Sequence, residues 1–198
     1  MARILLHHGW QNHRPEGHWH RIAAAELRRQ GHVVAYPQFP NADDPTIDAW
    51  QSLLLEELAH LDEVGSAVGE MIVIAHSLGC INWIQAAATN ALSKPVDRVL
   101  LVAPADPALL AAVPGANVDV ADPRVRDAVL ASAGSVTLVA SDKDPWTPQG
   151  IHATFGEPLG IEPVVIEGAG HLSLKDGWGA WGGLIAWVND PEADLTVR

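Results

Sequence analysis

The sequence is poor in cysteine and in basic residues, and each shortage limits the kinds of protein that it can encode. Its 198 residues include one cysteine, Cys80, so the chain can form no internal disulfide, and a reducing compartment is expected. The 12 Lys and Arg residues stand against 24 Asp and Glu residues, a formal net charge of -12 at pH 7. Nucleic acid and anionic membrane surfaces repel a protein of this charge, so neither is expected as a partner.

Signals for membrane insertion and export are also missing. No apolar run approaches the roughly 20 residues that cross a bilayer. The first six residues are followed at once by histidines rather than by a longer apolar core, so they are not expected to act as a signal peptide. A cytoplasmic location is therefore expected, whereas the oligomeric state stays open.

Motifs for cofactors are missing as well. Gly17 and Gly31 form no G-x-G-x-x-G, and no G-x-x-x-x-G-K-[ST] occurs, so a nucleotide cofactor is not expected. Five histidines crowd the N-terminal region and raise the alternative of a metal site. These are His7, His8, His13, His18 and His20. No H-E-x-x-H accompanies them, and no cysteine or carboxylate has ligand spacing, so neither a metal nor any other cofactor is expected.

Length and composition favour a single domain over residues 1–198. The chain is 48% hydrophobic, which is enough for one well-buried core. Strand-like and helix-like segments alternate, as is typical of a parallel sheet with helices on both faces. The predicted strands span residues 3–7, 32–36, 71–75, 98–102, 136–140 and 163–166. The predicted helices span residues 18–30, 46–64, 78–92, 122–131, 149–155 and 177–188. The proline-containing connection 103–134 has room for a loop and a short helix, but not for a large lid domain.

The pentapeptide A-H-S-L-G at residues 75–79 carries the clearest chemical signal. It follows the apolar run 71–74 and precedes a helix-like segment. Ser77 between the small residues Ala75 and Gly79 predicts a nucleophile elbow, a strand-to-helix turn too sharp for larger side chains two positions to either side. The pattern departs from G-x-S-x-G only at Ala75. Ser77 is therefore the predicted nucleophile.

A nucleophilic serine needs a base and an acid that orients the base, and in this architecture they follow in the order Ser, Asp, His. The predicted strand 136–140 ends in an acidic turn that offers two candidates, Asp142 and Asp144. Asp144 is favoured because Pro145 fixes the backbone beside it, whereas Asp142 is expected to cap or solvate the turn. His171, on a glycine-rich loop after the last predicted strand, is the predicted base. The alternative is a solvated loop histidine.

Two backbone amides are candidates for binding a developing oxyanion. One belongs to Leu78, directly after the predicted nucleophile, and the other to Trp10, because Gly9 lets the turn after the first strand approach the site. Among eight tryptophans, Trp10 and Trp146 are the candidates for contact with a substrate, and most of the others are expected to pack. Gly9, Trp10 and Trp146 are thus the predicted substrate-binding residues, which would suit an apolar or aromatic acyl group.

These motifs resemble the small serine hydrolases of the retinoblastoma-binding-protein-nine and YdeN type, and the resemblance runs nearly end to end. It rests on His8-Gly9, His18-Trp19, the Pro37 to Pro40 turn, Trp50, the A-H-S-L-G-C elbow, the S-x-x-D-P turn and the G-x-G-H loop. It implies a compact α/β-hydrolase fold with about six mostly parallel strands, helices on both faces and no large lid domain. It also implies Ser77 as nucleophile, Asp144 as acid and His171 as base. No L-x-C-x-E surrounds Cys80, so binding to pocket proteins is not expected.

The expected function is hydrolysis of a carboxylic ester, thioester or small amide through an acyl-enzyme on Ser77, without a metal. The expected partner is a small-molecule acyl substrate. The alternative is a non-catalytic protein-interaction module that keeps the same fold. An intact set of Ser, Asp and His favours the enzyme, since a scaffold has no chemical need for all three. The sequence leaves the bond type and the natural substrate open.

Overall fold

The fold is built on one six-stranded sheet. The computed structural model describes residues 1–65 and 69–198. Within them the strands are β1 (Arg3–His7), β2 (Val33–Ala35), β3 (Met71–His76), β4 (Val96–Val102), β5 (Ala133–Ser141) and β6 (Val164–Ile166). The helices are α1 (Trp19–Arg29), α2 (Ile47–Gly65), α3 (Leu78–Ala88), α4 (Pro123–Ala131), α5 (Glu157–Leu159) and α6 (Gly182–Asn189). All five strand pairs in these residues are parallel. The predicted sheet of about six mostly parallel strands is therefore confirmed, and its strands are all parallel.

The strand order β2-β1-β3-β4-β5-β6 places a change of direction inside the sheet. From β1 the chain first adds β2 on one side, then crosses to β3 and continues outward to β6. In open parallel sheets, ligands bind beyond the carboxyl ends of the strands at such a switch point. Here the switch lies between β1 and β3, whose pairing ends with His7 opposite Ala75. The turns that follow β1 and β3 therefore meet at the place where this fold binds ligands.

The strands turn alternate side chains towards two cores, one on each face of the sheet. In β1, Leu5 belongs to one core, while Ile4 and Leu6 belong to the other. The first core is closed by α2, α3, α4 and the segment that contains α5, and the second by α1 and α6. Helices thus cover both faces, as predicted. The central strands read as continuous apolar runs because both of their faces are buried.

Left-handed residues set two helix boundaries that differ from the sequence prediction. The predicted helix 78–92 ends at Ala88, and Asn90 beyond it has a φ of 54°. The predicted helix 149–155 begins only after Gly150, because that residue has a φ of 85°. A π-type turn, His152–Gly156, then leads directly into α5. Backbone in the left-handed region does not continue a right-handed helix, so these residues act as stops.

Two further boundaries differ for local reasons. The predicted helix 177–188 begins only at Gly182, because Gly177, with a φ of 72°, closes a preceding 3-10 turn. Strand β5 begins three residues earlier than predicted, at Ala133. Gly134 does not interrupt it, since a Cβ there would lie 2.9 Å from the Asp97 carbonyl oxygen of β4. The glycine allows the two strands to pair closely.

The long connection from β4 to β5 holds little regular structure. It contains one 3-10 turn, Pro107–Leu109, followed by α4. Over residues 1–65 and 69–198 no inserted lid domain is present, in agreement with the prediction. In the same residues, no helix has both the length and the apolar character that a membrane crossing requires. The carboxyl edge of the sheet is therefore left to its loops.

Candidate active site

Ser77 occupies the turn between β3 and α3. Its backbone has φ 56° and ψ -121°, a conformation that costs a non-glycine residue on the order of 1–3 kcal/mol. Two hydrogen bonds fix the turn: the Ser77 N–H donates to the Val102 carbonyl over 3.0 Å, and the Cys80 N–H donates to the Ser77 carbonyl over 2.9 Å. The chain therefore makes the sharp strand-to-helix turn that the pentapeptide predicts.

Close packing explains why glycines surround Ser77. A Cβ on Gly79 would lie 2.7 Å from His7 Nδ1 and 2.9 Å from the carbonyl oxygens of His7 and His8. A Cβ on Gly9 would lie 2.7 Å from the Cβ of Ser77 and 3.2 Å from its Oγ. Neither position leaves space for a side chain. The turn after β1 is thus pressed directly against the predicted nucleophile.

Ser77, His171 and Asp144 form one hydrogen-bonded row. His171 Nε2 lies 2.8 Å from Ser77 Oγ, and His171 Nδ1 lies 2.9 Å from both carboxylate oxygens of Asp144. An ionised carboxylate only accepts, so Nδ1–H donates to Asp144, and Nε2 accepts the Ser77 hydroxyl proton. The Asp144 side chain is fully buried, and the His171 side chain is 12% exposed. This geometry can pass a serine proton to an imidazole whose charge the carboxylate stabilises.

The competing carboxylate, Asp142, binds a different group. Its Oδ1 accepts a 2.7 Å hydrogen bond from the Gly168 N–H. This bond, assisted by the charge of Lys143, lowers the pKa of Asp142 below its ordinary value. Asp142 therefore ties the end of β5 to the loop before His171, instead of only capping its own turn. The structure brings Asp144, and not Asp142, to the imidazole.

Two side chains that the sequence analysis did not single out for this purpose hold the backbone of His171. Asp176 Oδ2 accepts the His171 N–H over 3.1 Å, and the His76 Nε2–H donates to the His171 carbonyl over 2.9 Å. The preceding residue, Gly170, has a φ of 61°, so the loop is tightly wound. A recognisable signal does exist for Asp176, which forms a capping box with Ser173. The contact of His76 leaves no such pattern in the sequence.

Two backbone N–H groups next to Ser77 are available to a ligand. Leu78 is the first residue of α3, where the N–H has no partner within the helix. The Trp10 N–H donates to no acceptor among residues 1–65 and 69–198. Leu78 follows Ser77 in the chain, and the Gly9-Trp10 turn packs against it. The partial positive charge at the start of α3 favours an anion at the same place.

A cleft of about 590 Å³ opens beside Ser77. Trp10 and Trp146 line it, with ring centroids 6.3 Å apart, and the Trp146 ring lies 5.9 Å from that of His171. Further apolar surface comes from Pro15, Leu110, Pro145 and Leu174. The other six tryptophans are buried in the protein. The two predicted substrate-contacting tryptophans are thus brought together at the mouth of the site.

Two N-terminal histidines, His18 and His20, lie against His76 in a buried group. Ring nitrogens of the three lie within 4.8 Å of one another. The lone pair of His18 Nδ1 is already engaged, because it accepts the His20 N–H and caps the start of α1. The His18 and His20 rings are only 15° from parallel, so their lone pairs lie in nearly parallel planes. One ring nitrogen of His18 is thus occupied, whereas His20 Nε2 and His76 Nδ1 have no hydrogen-bond partner among the described residues. The absence of a metal stays a prediction.

Burial lowers the pKa of five histidines and makes stability sensitive to acid. The pKa values of His8 and His18 fall to about 4, and those of His7, His20 and His76 fall well below 6.5. Between about pH 4 and pH 6.5, the unfolded chain binds protons at these histidines that the folded chain does not. The free energy of unfolding therefore decreases as the pH falls from 6.5 towards 4. Going from about pH 8 to about pH 5, we expect His8 and His18 to remove on the order of 2 kcal/mol each. Urea unfolding at both pH values measures this loss, and equal free energies of unfolding would contradict it.

Fold and site together define a serine hydrolase of the α/β-hydrolase class. The pattern of the serine hydrolase family matches residues 4–189, nearly the whole chain, so the protein belongs to that family. No curated protein matches it in sequence.

Solved structures show the same fold. The ydeN gene product from B. subtilis superposes with a TM-score of 0.74 at 18% identity, over 96% of this chain and 97% of that chain. A YdeN-like hydrolase from Pectobacterium atrosepticum superposes with a TM-score of 0.72 at 20% identity, over 100% of this chain and 94% of that chain. Est1E from Butyrivibrio proteoclasticus, solved with ferulic acid bound, superposes with a TM-score of 0.65 at 17% identity, over 96% of this chain and 86% of that chain. The resemblance to YdeN-type hydrolases that the motifs indicate is confirmed.

Proposed function

We propose that this protein is a metal-independent hydrolase that cleaves a carboxylic ester, thioester or small amide through an acyl-enzyme on Ser77. The observation that carries the proposal is the continuous row from Ser77 Oγ through the His171 imidazole to the buried carboxylate of Asp144. Membership of the serine hydrolase family supports the same reaction class. A structural relative from Rhodothermus marinus is described as an esterase domain, which agrees with it.

The proposed reaction follows from the hydrogen bonds of the row. His171 Nε2 takes the hydroxyl proton as Ser77 Oγ attacks the carbonyl carbon, and Asp144 stabilises the resulting imidazolium. The oxyanion of the tetrahedral intermediate accepts hydrogen bonds from the Leu78 and Trp10 amides. His171 then protonates the leaving group, which departs and leaves the acyl group on Ser77. Water, deprotonated by His171, then attacks the ester carbon, and His171 returns the proton to Ser77 Oγ as the acid departs.

The proposed substrate is a small molecule with an apolar or aromatic acyl group. Trp10 and Trp146 flank the approach to Ser77, and flat apolar groups pack well against indole rings. The ferulic acid bound to Est1E shows that a similar fold accommodates an aromatic acid. A cytoplasmic location and the exclusion of nucleic-acid and membrane partners stay predictions from composition.

A panel of nitrophenyl esters, thioesters and anilides with acyl groups of graded length tests the proposal against the non-catalytic alternative. We expect turnover of short or aromatic activated esters, because an activated leaving group lowers the barrier of the acylation step. Ser77→Ala, prepared in the same way, corrects for background hydrolysis. Rates indistinguishable from this variant across the whole panel would favour the interaction module.

Chelators separate the proposed mechanism from metal-assisted hydrolysis. Because the nucleophile is activated by His171 rather than by a bound ion, we expect EDTA to leave the rate of ester hydrolysis unchanged. The measurement is the initial rate after prolonged incubation with EDTA and buffer exchange. A loss of activity that zinc restores would return the histidine group around His18 to consideration as a metal site.

A further inference from the structure

His8, the residue before the glycine of the proposed oxyanion turn, is buried and has a defined proton arrangement. Its Nε2 accepts the Phe39 N–H over 2.8 Å and a hydrogen bond from Gln38 Nε2 over 3.0 Å. A backbone amide can only donate, so His8 Nε2 must carry a lone pair. Burial favours the neutral imidazole, which places its single proton on Nδ1. That Nδ1–H donates to the Gly9 carbonyl oxygen over 2.8 Å.

The hydrogen bond to the Gly9 carbonyl also sets the direction of the next amide. In a planar trans peptide, the C=O of one residue and the N–H of the following residue point to opposite sides. With the Gly9 carbonyl held by the His8 ring, the Trp10 N–H faces away from that ring. It is this N–H that has no acceptor in the described part of the chain, on the turn that packs against Ser77.

We propose that His8 is a positioning residue for the oxyanion site, because it holds the Gly9-Trp10 peptide in the orientation that presents the Trp10 N–H to the reacting carbonyl. The inference rests on the proposed hydrolase function. Without the His8 donor, the Gly9 carbonyl has lost its partner, and glycine permits the peptide to rotate. A rotated peptide offers a carbonyl oxygen instead of an N–H, which repels a developing oxyanion rather than stabilising it.

Two substitutions separate this role from simple packing. His8→Leu removes the donor while keeping an apolar side chain, whereas His8→Asn retains an N–H near the position of Nδ1. His20→Leu serves as the control, since it also replaces a fully buried histidine but lies outside the oxyanion turn. Thermal unfolding and circular dichroism establish that each variant is folded before kinetics are measured.

The readout is hydrolysis of an ester and of its thionoester analogue, in which sulfur replaces the carbonyl oxygen and accepts hydrogen bonds poorly. We expect His8→Leu to lower kcat for the ester about 10²-fold, as loss of one oxyanion donor does, with KM little changed. The thionoester rate should change far less, so the ester-to-thionoester ratio collapses. His8→Asn should recover most of the ratio, and His20→Leu should keep the wild-type ratio.

The outcomes distinguish the inference from the proposed function. A wild-type protein that hydrolyses neither substrate and does not react at Ser77 would overturn both. An active wild type whose His8→Leu variant keeps the ester rate, or loses both rates in parallel, would overturn the role of His8 alone. If His8→Leu fails to fold, the Trp10 amide proton of the wild type provides the test. It should move downfield on phosphonylation of Ser77, and an unchanged resonance would refute the assignment.

Discussion

Replacing Ser77 with alanine is expected to reduce hydrolysis of an activated ester to the level of the oxyanion site alone. Loss of the serine from a comparable triad lowers kcat about 10⁶-fold, because the acyl-enzyme route disappears. Folding should be little affected, since alanine keeps the Cβ and, within residues 1–65 and 69–198, the Ser77 hydroxyl makes its hydrogen bond to His171 alone. The measurement is kcat for a short nitrophenyl ester, together with the free energy of unfolding.

This experiment must be controlled for contamination, because traces of a host esterase would dominate so low a rate. The variant is therefore purified with tags and columns that have not been exposed to wild type. A folded Ser77→Ala protein that keeps more than a few per cent of the wild-type rate would place the nucleophile elsewhere.

Asp144→Asn is expected to give the second largest effect. An amide in this position can retain the bond from the Trp146 N–H through its oxygen, but it then directs its NH2 group at His171 Nδ1. The imidazole must accept at Nδ1 and carry its proton on Nε2, where it can no longer accept the Ser77 proton. The same change in a serine protease lowers turnover about 10⁴-fold. Steady-state kinetics on the folded variant at fixed pH measure the loss.

Asp142→Asn is the matched comparison, two residues away in the same turn. Its Oδ1 accepts the Gly168 N–H, a bond that an asparagine oxygen can keep, so the rate should stay close to that of wild type. The ratio of the two variants is therefore the informative quantity. If Asp142→Asn were the slower enzyme, Asp142 would be the orienting acid. If both stayed near wild type, the orienting group would lie outside this turn.

The sequence was sufficient to predict the sheet and the centre of the candidate site. Central parallel strands such as β3 and β4 are buried on both faces and read as apolar runs, so their positions follow from these runs in the local sequence. The elbow around Ser77 is a local motif whose small residues are needed for close packing within a few positions. His171 was found in the same way, because a glycine-rich loop after a strand end is also a local feature.

Features that depend on contacts between distant segments could not be predicted. The local turn with Pro145 favoured Asp144 over Asp142, but the contacts that separate the two carboxylates reach a loop more than 25 residues further along the chain and leave no local pattern. The hydrogen bond from His76 to the His171 carbonyl joins residues 95 positions apart in the sequence. The bond that fixes the proton of His8 comes from Phe39, 31 positions away. Hydrophobic periodicity describes which face is buried, but it carries no information on such pairings.

The most direct test of the account is the reaction of the protein with a fluorophosphonate, followed by mass spectrometry of its peptides. An activated serine hydroxyl attacks phosphorus and retains the phosphonyl group, whereas unactivated serines react slowly. We predict one adduct per chain, on the peptide that contains Ser77, and its absence from Ser77→Ala. Labelling should also be strongly reduced in His171→Ala, because the hydroxyl has lost its base. An adduct on another residue, or undiminished labelling of Ser77→Ala, would contradict the assignment of Ser77 as the nucleophile.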